Sequence, residues 1–482
     1  MTAVMRTLVD RVRAAPDGPA VGAIFDYDGT LIDGFSGLSF MKDRFRRGKL
    51  GPSEAAKIAQ AAITGVRTPE EFIDFLEWSL EAYGGRSVKE LRALGRTVYD
   101  ADIVNRLRPE TWALLETHRS KGHTLVLASS GTSIQLEAIA AATGIGHVIS
   151  TEFEVAEGVA TGRIIGQPPW GVFKAEAVEK LAATLALDLH ESFAYSDGDE
   201  DIPLLTSVGH PTAVNPRPHM RREAQNNGWP VLQGRDVGGS TAPTALARSA
   251  ATVSGLIGGA ALAGPVGLLR RSTRAFVDGA VGLSSDFSLN LAGVKVQTVG
   301  GEEHLFDCRP CVFIFNHRSN LDGLVLMHLL RGGITAIAKQ ELAGVPMLGQ
   351  LFRMADVAFI DRGDSTQARK AIQPAIDSIR TQKLCLVLAP EATRWHTPGL
   401  GRFKKGAFHI ARQAGVPIVP IVMAGTGECM PRGSQTIRPG TVKVDVLDPI
   451  DPLTWDPESM DERVALVREK MMYALVDLIA SH

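Results

Sequence analysis

Four cysteines among 482 residues are too few to staple a fold with disulfides. Cys308-Arg309-Pro310-Cys311 is a CxxC pair, but Cys385 and Cys429 are single, so no second pair completes a zinc site and no metal or redox role is expected there. The chain also lacks an excess of charge of either sign. Its 51 Lys and Arg against 53 Asp and Glu leave a formal net charge of −2, which gives no global attraction to nucleic acid, and none is expected as a partner. No continuous apolar run occupies Met1–Gly18, where Arg6, Arg11 and Arg13 mix with Asp10 and Asp17. A surface helix is expected there rather than a secretory leader, and with the cysteine usage this suggests a reducing compartment.

What is present is a globular composition, 45% hydrophobic and 22% charged, in a chain too long for one ordinary core. Two domains or more are expected. The stretch Phe313-Ile314-Phe315-Asn316-His317-Arg318-Ser319-Asn320-Leu321-Asp322-Gly323 carries chemistry. Cys311–Phe315 reads as a short buried strand that delivers His317 to its end. On one helix, residues five apart point roughly 140° away from each other. His317 and Asp322 therefore meet only if the histidine lies in a loop and the helix starts later, with Ser319 or Asn320 as N-cap. That arrangement holds a neutral imidazole in one tautomer, ready to act as a general base.

In the N-terminal half, the apolar strand Val21–Phe25 runs into Asp26-Tyr27-Asp28-Gly29-Thr30. Two residues apart on extended chain, Asp26 and Asp28 share a face. One carboxylate can attack phosphorus while the other handles the leaving-group proton, and Mg²⁺ suits the gathered negative charge. A second strand, Gly122–Leu127, leads to Ser129-Ser130-Gly131-Thr132, where a hydroxyl at a helix start can hold a phosphate oxygen. Lys174 opens an apolar-periodic helix through Leu187. A third strand, Ser192–Ser196, ends in Asp197-Gly198-Asp199-Glu200-Asp201, at the edge where an open parallel α/β sheet places its site.

These motifs, in this order, resemble those of the haloacid dehalogenase-like hydrolases, in the branch that includes phosphoserine phosphatase. The likeness covers about residues 20–232. It implies Asp26 as the phosphorylated nucleophile, Asp28 as general acid/base, and Ser129 and Lys174 as phosphate ligands. It also implies Mg²⁺ held by Asp26, the Asp28 carbonyl and Asp197, with Asp201 supporting the metal site. The insert between Gly34 and Pro109 is expected to be a helical cap, with Thr68-Pro69-Glu70-Glu71 starting one of its helices.

Gly234–Ala247 reads as a linker. From Ser249 to Leu269 no residue is charged, and Arg248, Arg270 and Arg271 bracket the stretch. It is about as long as a bilayer span of roughly 20 residues, but rich in Gly and Ala and interrupted by Pro265. A monotopic or re-entrant element, or a shallow helical hairpin, is expected at the membrane surface. The alternative is a soluble helix packed between domains.

Beyond His317, Val357–Arg362 reads as a strand ending in Asp361-Arg362, and Leu384–Leu388 as one ending in Ala389-Pro390-Glu391-Ala392-Thr393-Arg394. Lys404-Lys405-Gly406 then leads into Val416-Pro417-Ile418-Val419-Pro420. Arg362 and Arg394 carry guanidinium forks suited to a phosphate, and Glu391 can fix a neighbouring donor. These blocks are similar to those of the glycerolipid acyltransferases, most closely the 1-acyl-sn-glycerol-3-phosphate (lysophosphatidic acid) acyltransferases, over about residues 285–450. Ala392 stands where the third block usually has Gly; if that position needs positive φ, alanine costs about 1 kcal/mol there.

The resemblance implies that His317, oriented by Asp322, deprotonates an acceptor hydroxyl attacking an acyl-CoA thioester. The expected architecture is α/β in two domains. Residues 1–232 form an open parallel sheet with a helical cap at about 35–109, 233–284 a linker and membrane-associating segment, and 285–482 a mixed-sheet acyltransferase domain closed by an amphipathic helix over Ser459–Ile479. The expected function joins acyl-CoA-dependent acylation of a lysophospholipid to Mg²⁺-dependent phosphomonoester hydrolysis, at the cytoplasmic side of a membrane. The alternative is acylation of another acceptor, glycerol 3-phosphate or a different lysophospholipid, with a non-catalytic, regulatory N-terminal half.

Overall fold

The computed structural model describes residues 2–48, 51, 68–235, 237, 243–339, 357–360 and 365–482. The chain divides into two compact units, Met1–Val237 and Gly238–Ala480.

Strands of the first unit are β1 (Val21–Phe25), β2 (Thr124–Thr132), β3 (His147–Ala156), β4 (Val159–Ile165), β5 (Asp188–Ser196), β6 (His210–Val214) and β7 (Val231–Leu232). They form one sheet in the order β4-β3-β2-β1-β5-β6-β7, parallel except for the β3–β4 pair. β1 is buried along its whole length, as the continuous apolar run of a central parallel strand requires. The sheet order reverses at β1, flanked by β2 and β5, so the carboxyl ends of these three strands face one crevice. The helix Thr2–Ala14 buries Met5, Leu8, Val9 and Val12 on one stripe, which makes it a packed element rather than a purely superficial one.

The insert after β1 is helical, over Ser36–Arg46, Pro69–Glu81 and Val88–Ala101. Thr68 caps the second of these by accepting the Glu71 N–H, with Pro69 in the first turn. Ser87 and Glu90 form a reciprocal capping box on the third.

The second unit contributes β8 (Val294–Gly300), β9 (Val312–Phe315), β10 (Ile334–Lys339), β11 (Ala358–Ile360), β12 (Cys385–Leu388), β13 (Ile418–Ala424) and β14 (Gly440–Val446). Their order is β11-β10-β12-β9-β13-β14-β8, with only the β13–β14 pair antiparallel. β9 lies between β12 and β13, and Val312, Phe313 and Ile314 are fully buried. The closing helix, Met460–Ser481, buries Val464, Val467, Met471, Leu475 and Leu478. Leu466, on the same helix, faces solvent.

The linker expected over Gly234–Ala247 is shorter than the composition implied. A helix begins at Pro243 and continues to Arg270. Proline is tolerated in a first turn, and Ala245-Leu246-Ala247-Arg248 are strong helix formers, which outweigh the Gly, Ser and Thr before them. This helix folds back on Thr273–Ala292 as a close antiparallel pair. At Gly259 an added β-carbon would lie 2.5 Å from the Ser284 backbone, so only glycine permits the approach. Ser284 Oγ donates to Leu256 O at 2.8 Å, and Ser288 Oγ to Thr252 O at 3.0 Å, tying the two helices together. The outer side of the first helix exposes Val253, Ile257, Leu262, Leu268 and Leu269. Among the described residues it is the one helix long and apolar enough to cross a membrane, with a mean hydropathy of 1.6.

Candidate active sites

The first site is built on the ends of β1, β2 and β5. Asp26 follows β1 and its N–H donates to Tyr195 O of β5 at 3.0 Å. The buried Lys174 ammonium donates to Asp26 Oδ1 at 2.9 Å and to Asp201 Oδ2 at 2.6 Å. Ser196 Oγ also donates to Asp201 Oδ2, while Asp201 Oδ1 is buried with no hydrogen-bond partner. Asp28 turns to the start of the cap: its Oδ1 accepts the Ser36 N–H at 2.6 Å and its Oδ2 the Ser36 hydroxyl at 3.1 Å.

Burial pushes the Asp28 carboxyl up to about 6, against the lowering effect of both Ser36 bonds. Asp197 is pushed up to about 7, by burial first and by Glu200 and Asp201, with Arg217 opposing. Burial also raises Asp26 well above the carboxylate range, and Lys174 only partly offsets it. Burial alone would weaken the charge on Lys174, but Asp201 and Asp26 outweigh it and hold the lysine protonated.

One ammonium among Asp26, Asp197 and Asp201 leaves the cluster short of positive charge. Asp197 rests on the backbone at Gly29, where an added β-carbon would lie 2.3 Å from its Oδ2, and Gly29 itself has φ +78°. Among the described residues no group of three or more His, Cys, Asp or Glu side chains is arranged to hold a metal ion. The donor set that fits Mg²⁺ is two carboxylates, Asp26 and Asp197, with the Asp28 carbonyl and water, an all-oxygen set that such a hard cation accepts. The Asp28 carboxylate is engaged by Ser36, and Asp201 Oδ2 by Lys174 and Ser196, which suits Asp201 to a supporting place beside those donors.

Ser129 differs from expectation in its placement. It belongs to β2, and the helix starts only at Ser133, behind a capping box of Thr132 and Gln135. Its hydroxyl accepts the Gly131 N–H at 3.1 Å. The sequence points to the hydroxyl, but Gly131 and the Thr132–Gln135 box delay the helix.

The second site lies just beyond β9. His317 Nδ1 and Asp322 Oδ2 are 2.8 Å apart, and Asp322 is fully buried. The same oxygen accepts the N–H groups of Arg318, at 2.8 Å, and Ser319, at 2.9 Å. With a carboxylate facing Nδ1, that nitrogen carries the proton and Nε2 is the acceptor. The helix Leu321–Leu330 starts where the sequence placed it, but Asn320 makes no side-chain cap. Ser319 Oγ instead accepts the Leu321 N–H and donates to Met430 O, while Asp322 reaches back to the two preceding N–H groups.

Glu391, three residues past β12, joins this loop to the next. Its Oε1 accepts the His317 N–H at 3.2 Å and its Oε2 the Gly401 N–H at 3.0 Å. Burial raises its carboxyl to about 7, although both N–H groups favour the charged form. Arg394 donates to Asn320 Oδ1 at 3.0 Å and is half-buried, so the two loops also meet at the guanidinium. Arg362 lies outside the described residues.

Asn316 is the residue that the sequence left without a role. Its amide donates to Met423 O at 2.8 Å and accepts the Met423 N–H at 2.7 Å, extending the β9–β13 pairing by one side chain. Its place at the end of an apolar strand, beside a histidine, is the signal that marks it. Ala392 does adopt the left-handed conformation, with φ +60°. Ala392→Gly is therefore expected to raise unfolding stability by about 1 kcal/mol, read as a higher melting temperature. An unchanged or lower value would show that the alanine conformation is not strained.

Residues 23–206 match the family of haloacid dehalogenase-like hydrolases, and residues 296–424 match the acyltransferases. The chain belongs to the first family through its N-terminal unit, and its C-terminal unit is similar to the second. It is 32% identical to a 1-acyl-sn-glycerol-3-phosphate acyltransferase of Limnanthes alba, over 37% of this chain and 63% of that protein. It is 33% identical to the putative hydrolase ML2424 of Mycobacterium leprae, over 47% of this chain and 78% of that protein. The solved 1-acyl-sn-glycerophosphate acyltransferase of Thermotoga maritima aligns with a TM-score of 0.42 at 23% identity, covering 48% of this chain and 96% of that one. The chain spans about six tenths of the length of the plant acyltransferases it matches.

Proposed function

We propose that the chain is a bifunctional enzyme of phospholipid synthesis. Residues 285–482 transfer an acyl group from acyl-CoA to the free hydroxyl of a 1-acylglycerol 3-phosphate, giving phosphatidic acid. Residues 1–232 hydrolyse a phosphomonoester. The observation that carries the reading is the 2.8 Å His317–Asp322 pair on a buried carboxylate, with Nε2 left to accept a proton.

In the acyl transfer, Nε2 of His317 takes the acceptor hydroxyl's proton as its oxygen attacks the thioester carbonyl. Asp322 stabilises the imidazolium that forms. The tetrahedral oxyanion then collapses and expels the CoA thiolate, which receives the proton back. Glu391 holds the His317 backbone in place, and Arg362 and Arg394 take the acceptor's phosphate.

In the hydrolysis, an Asp26 oxygen bonds to phosphorus as the ester P–O bond breaks, and Asp28 gives its proton to the leaving alkoxide. Water, deprotonated by Asp28, then attacks the phosphoaspartate, releasing inorganic phosphate and restoring Asp26. Ser129 and Lys174 bind the phosphoryl oxygens. Asp26, Asp197 and the Asp28 carbonyl would hold Mg²⁺, which offsets the negative charge gathered there.

Membrane association belongs to the same proposal. The hairpin of Pro243–Arg270 and Thr273–Ala292 presents an apolar side, and Arg248 near the start of its first helix and Arg270 and Arg271 at that helix's end supply cations for anionic headgroups. A hairpin returns the chain to the surface it left, so both activities stay on the cytoplasmic side, where acyl-CoA is found.

Mass spectrometry of products from lysophosphatidate and acyl-CoA tests this directly. A new diacyl phosphate is expected with or without Mg²⁺, and dephosphorylated lipid only with it. Absence of acylated product would overturn the acyltransferase assignment.

A further inference from the structure

The cap of the first unit lines a partly open cavity of about 100 Å³, room for several water molecules. Its walls include Phe40, Phe72, Phe75, Leu76, Trp78 and Leu94, and Arg44 is the one charged residue among the described residues lining it. Such a space is far larger than the packing voids of a protein interior.

Both ends of the catalytic constellation border it. Ser130 and Gly131, next to Ser129, form one edge, and the Gly131 N–H is the donor that Ser129 accepts. Phe35 and Gly37 form another and flank Ser36, whose N–H and hydroxyl hold Asp28. A phosphoryl group at Asp26 therefore has its ester oxygen near Asp28 and the remainder of its alcohol facing aromatic and aliphatic side chains. Phosphoserine fits this lining poorly. Its ammonium would find no carboxylate among the described residues of the lining, and its two charges would lose water against apolar walls.

We infer that the phosphatase site takes phosphomonoesters whose alcohol carries an apolar chain, held in this cap pocket. The inference rests on the proposed hydrolase activity of this unit. In each turnover the P–O bond to the apolar alcohol is cleaved, the alcohol leaves with a proton, and water supplies the oxygen of the inorganic phosphate.

The test is a series of monoalkyl phosphates, ethyl, hexyl and dodecyl, alongside phosphoserine, with full-length protein, Mg²⁺ and no acyl-CoA, below micelle-forming concentrations. The expected kcat/KM rises by about fourfold per added methylene until the pocket is filled, with phosphoserine no better than ethyl phosphate. Phe75→Ala is expected to reduce the dodecyl-to-ethyl ratio by about tenfold, a readout indifferent to the fraction of folded protein. Turnover that is flat or falls with chain length, or that favours phosphoserine, overturns the inference while leaving the hydrolase intact. A rising series that Phe75→Ala leaves unaltered removes the preference from this pocket and overturns the inference too. If no ester is hydrolysed and no phosphoaspartate is trapped at Asp26, the hydrolase reading itself fails and takes the inference with it.

Discussion

His317→Ala is expected to lower acyl transfer by about 10²–10⁴-fold, the range that a positioned general base contributes. Without the imidazole, Asp322 Oδ2 is a poor substitute base, since it already accepts the Arg318 and Ser319 N–H groups. The loss should fall on kcat, because the imidazole acts on a proton that moves only in the transition state. Asp322→Asn is expected to lose less, as an amide oxygen can still accept from Nδ1 but carries no charge to stabilise the imidazolium. Phosphate release by the same His317→Ala protein should match wild type. Retained acyl transfer, or equal loss of both activities in folded protein, would contradict two separate centres.

The second large effect is expected from Asp26→Asn. Phosphate release should fall to background and no phosphoenzyme should be trapped, while acyl transfer continues. Asparagine keeps an oxygen for the Lys174 ammonium, and Lys174 retains Asp201, so the site stays assembled. The change also removes one carboxylate from a buried group in which Asp197 and Asp201 oppose its charge. Thermal stability should therefore hold or rise, as when a charge kept for chemistry is neutralised. Phosphate release at the wild-type rate by this variant would eliminate the nucleophile assignment.

The sequence was most informative where an apolar strand ends abruptly in a functional residue. Asp26 after Val21–Phe25, Asp197 after β5 and His317 after β9 all sit at parallel strand ends, because backbone topology puts strand carboxyl termini at a crevice. The His317–Asp322 contact was legible because five-residue spacing permits it in only one local geometry. Contacts closed by distant chain were not. Asn316 meets Met423, 107 residues away, and Glu391 reaches His317 across 74, and no local pattern encodes either register. The Asp28–Ser36 bonds depend on a turn whose shape the composition does not specify. The cap cavity is made by four separate stretches, each of which reads alone as an ordinary amphipathic helix or loop. The helix start at Pro243 was hidden by neighbours that favour irregular chain.

The Asn316 clasp on Met423 bears on when the second site is made ready. An amide that supplies both a donor and an acceptor to the neighbouring strand behaves as one more rung of the sheet, so the loop bearing the imidazole begins from a fixed point. The rotational freedom of that loop is thus given up as the sheet forms, before any substrate binds. In the proposed acyl transfer an acceptor hydroxyl would meet a base already aimed, and its binding energy need not be spent on arranging one.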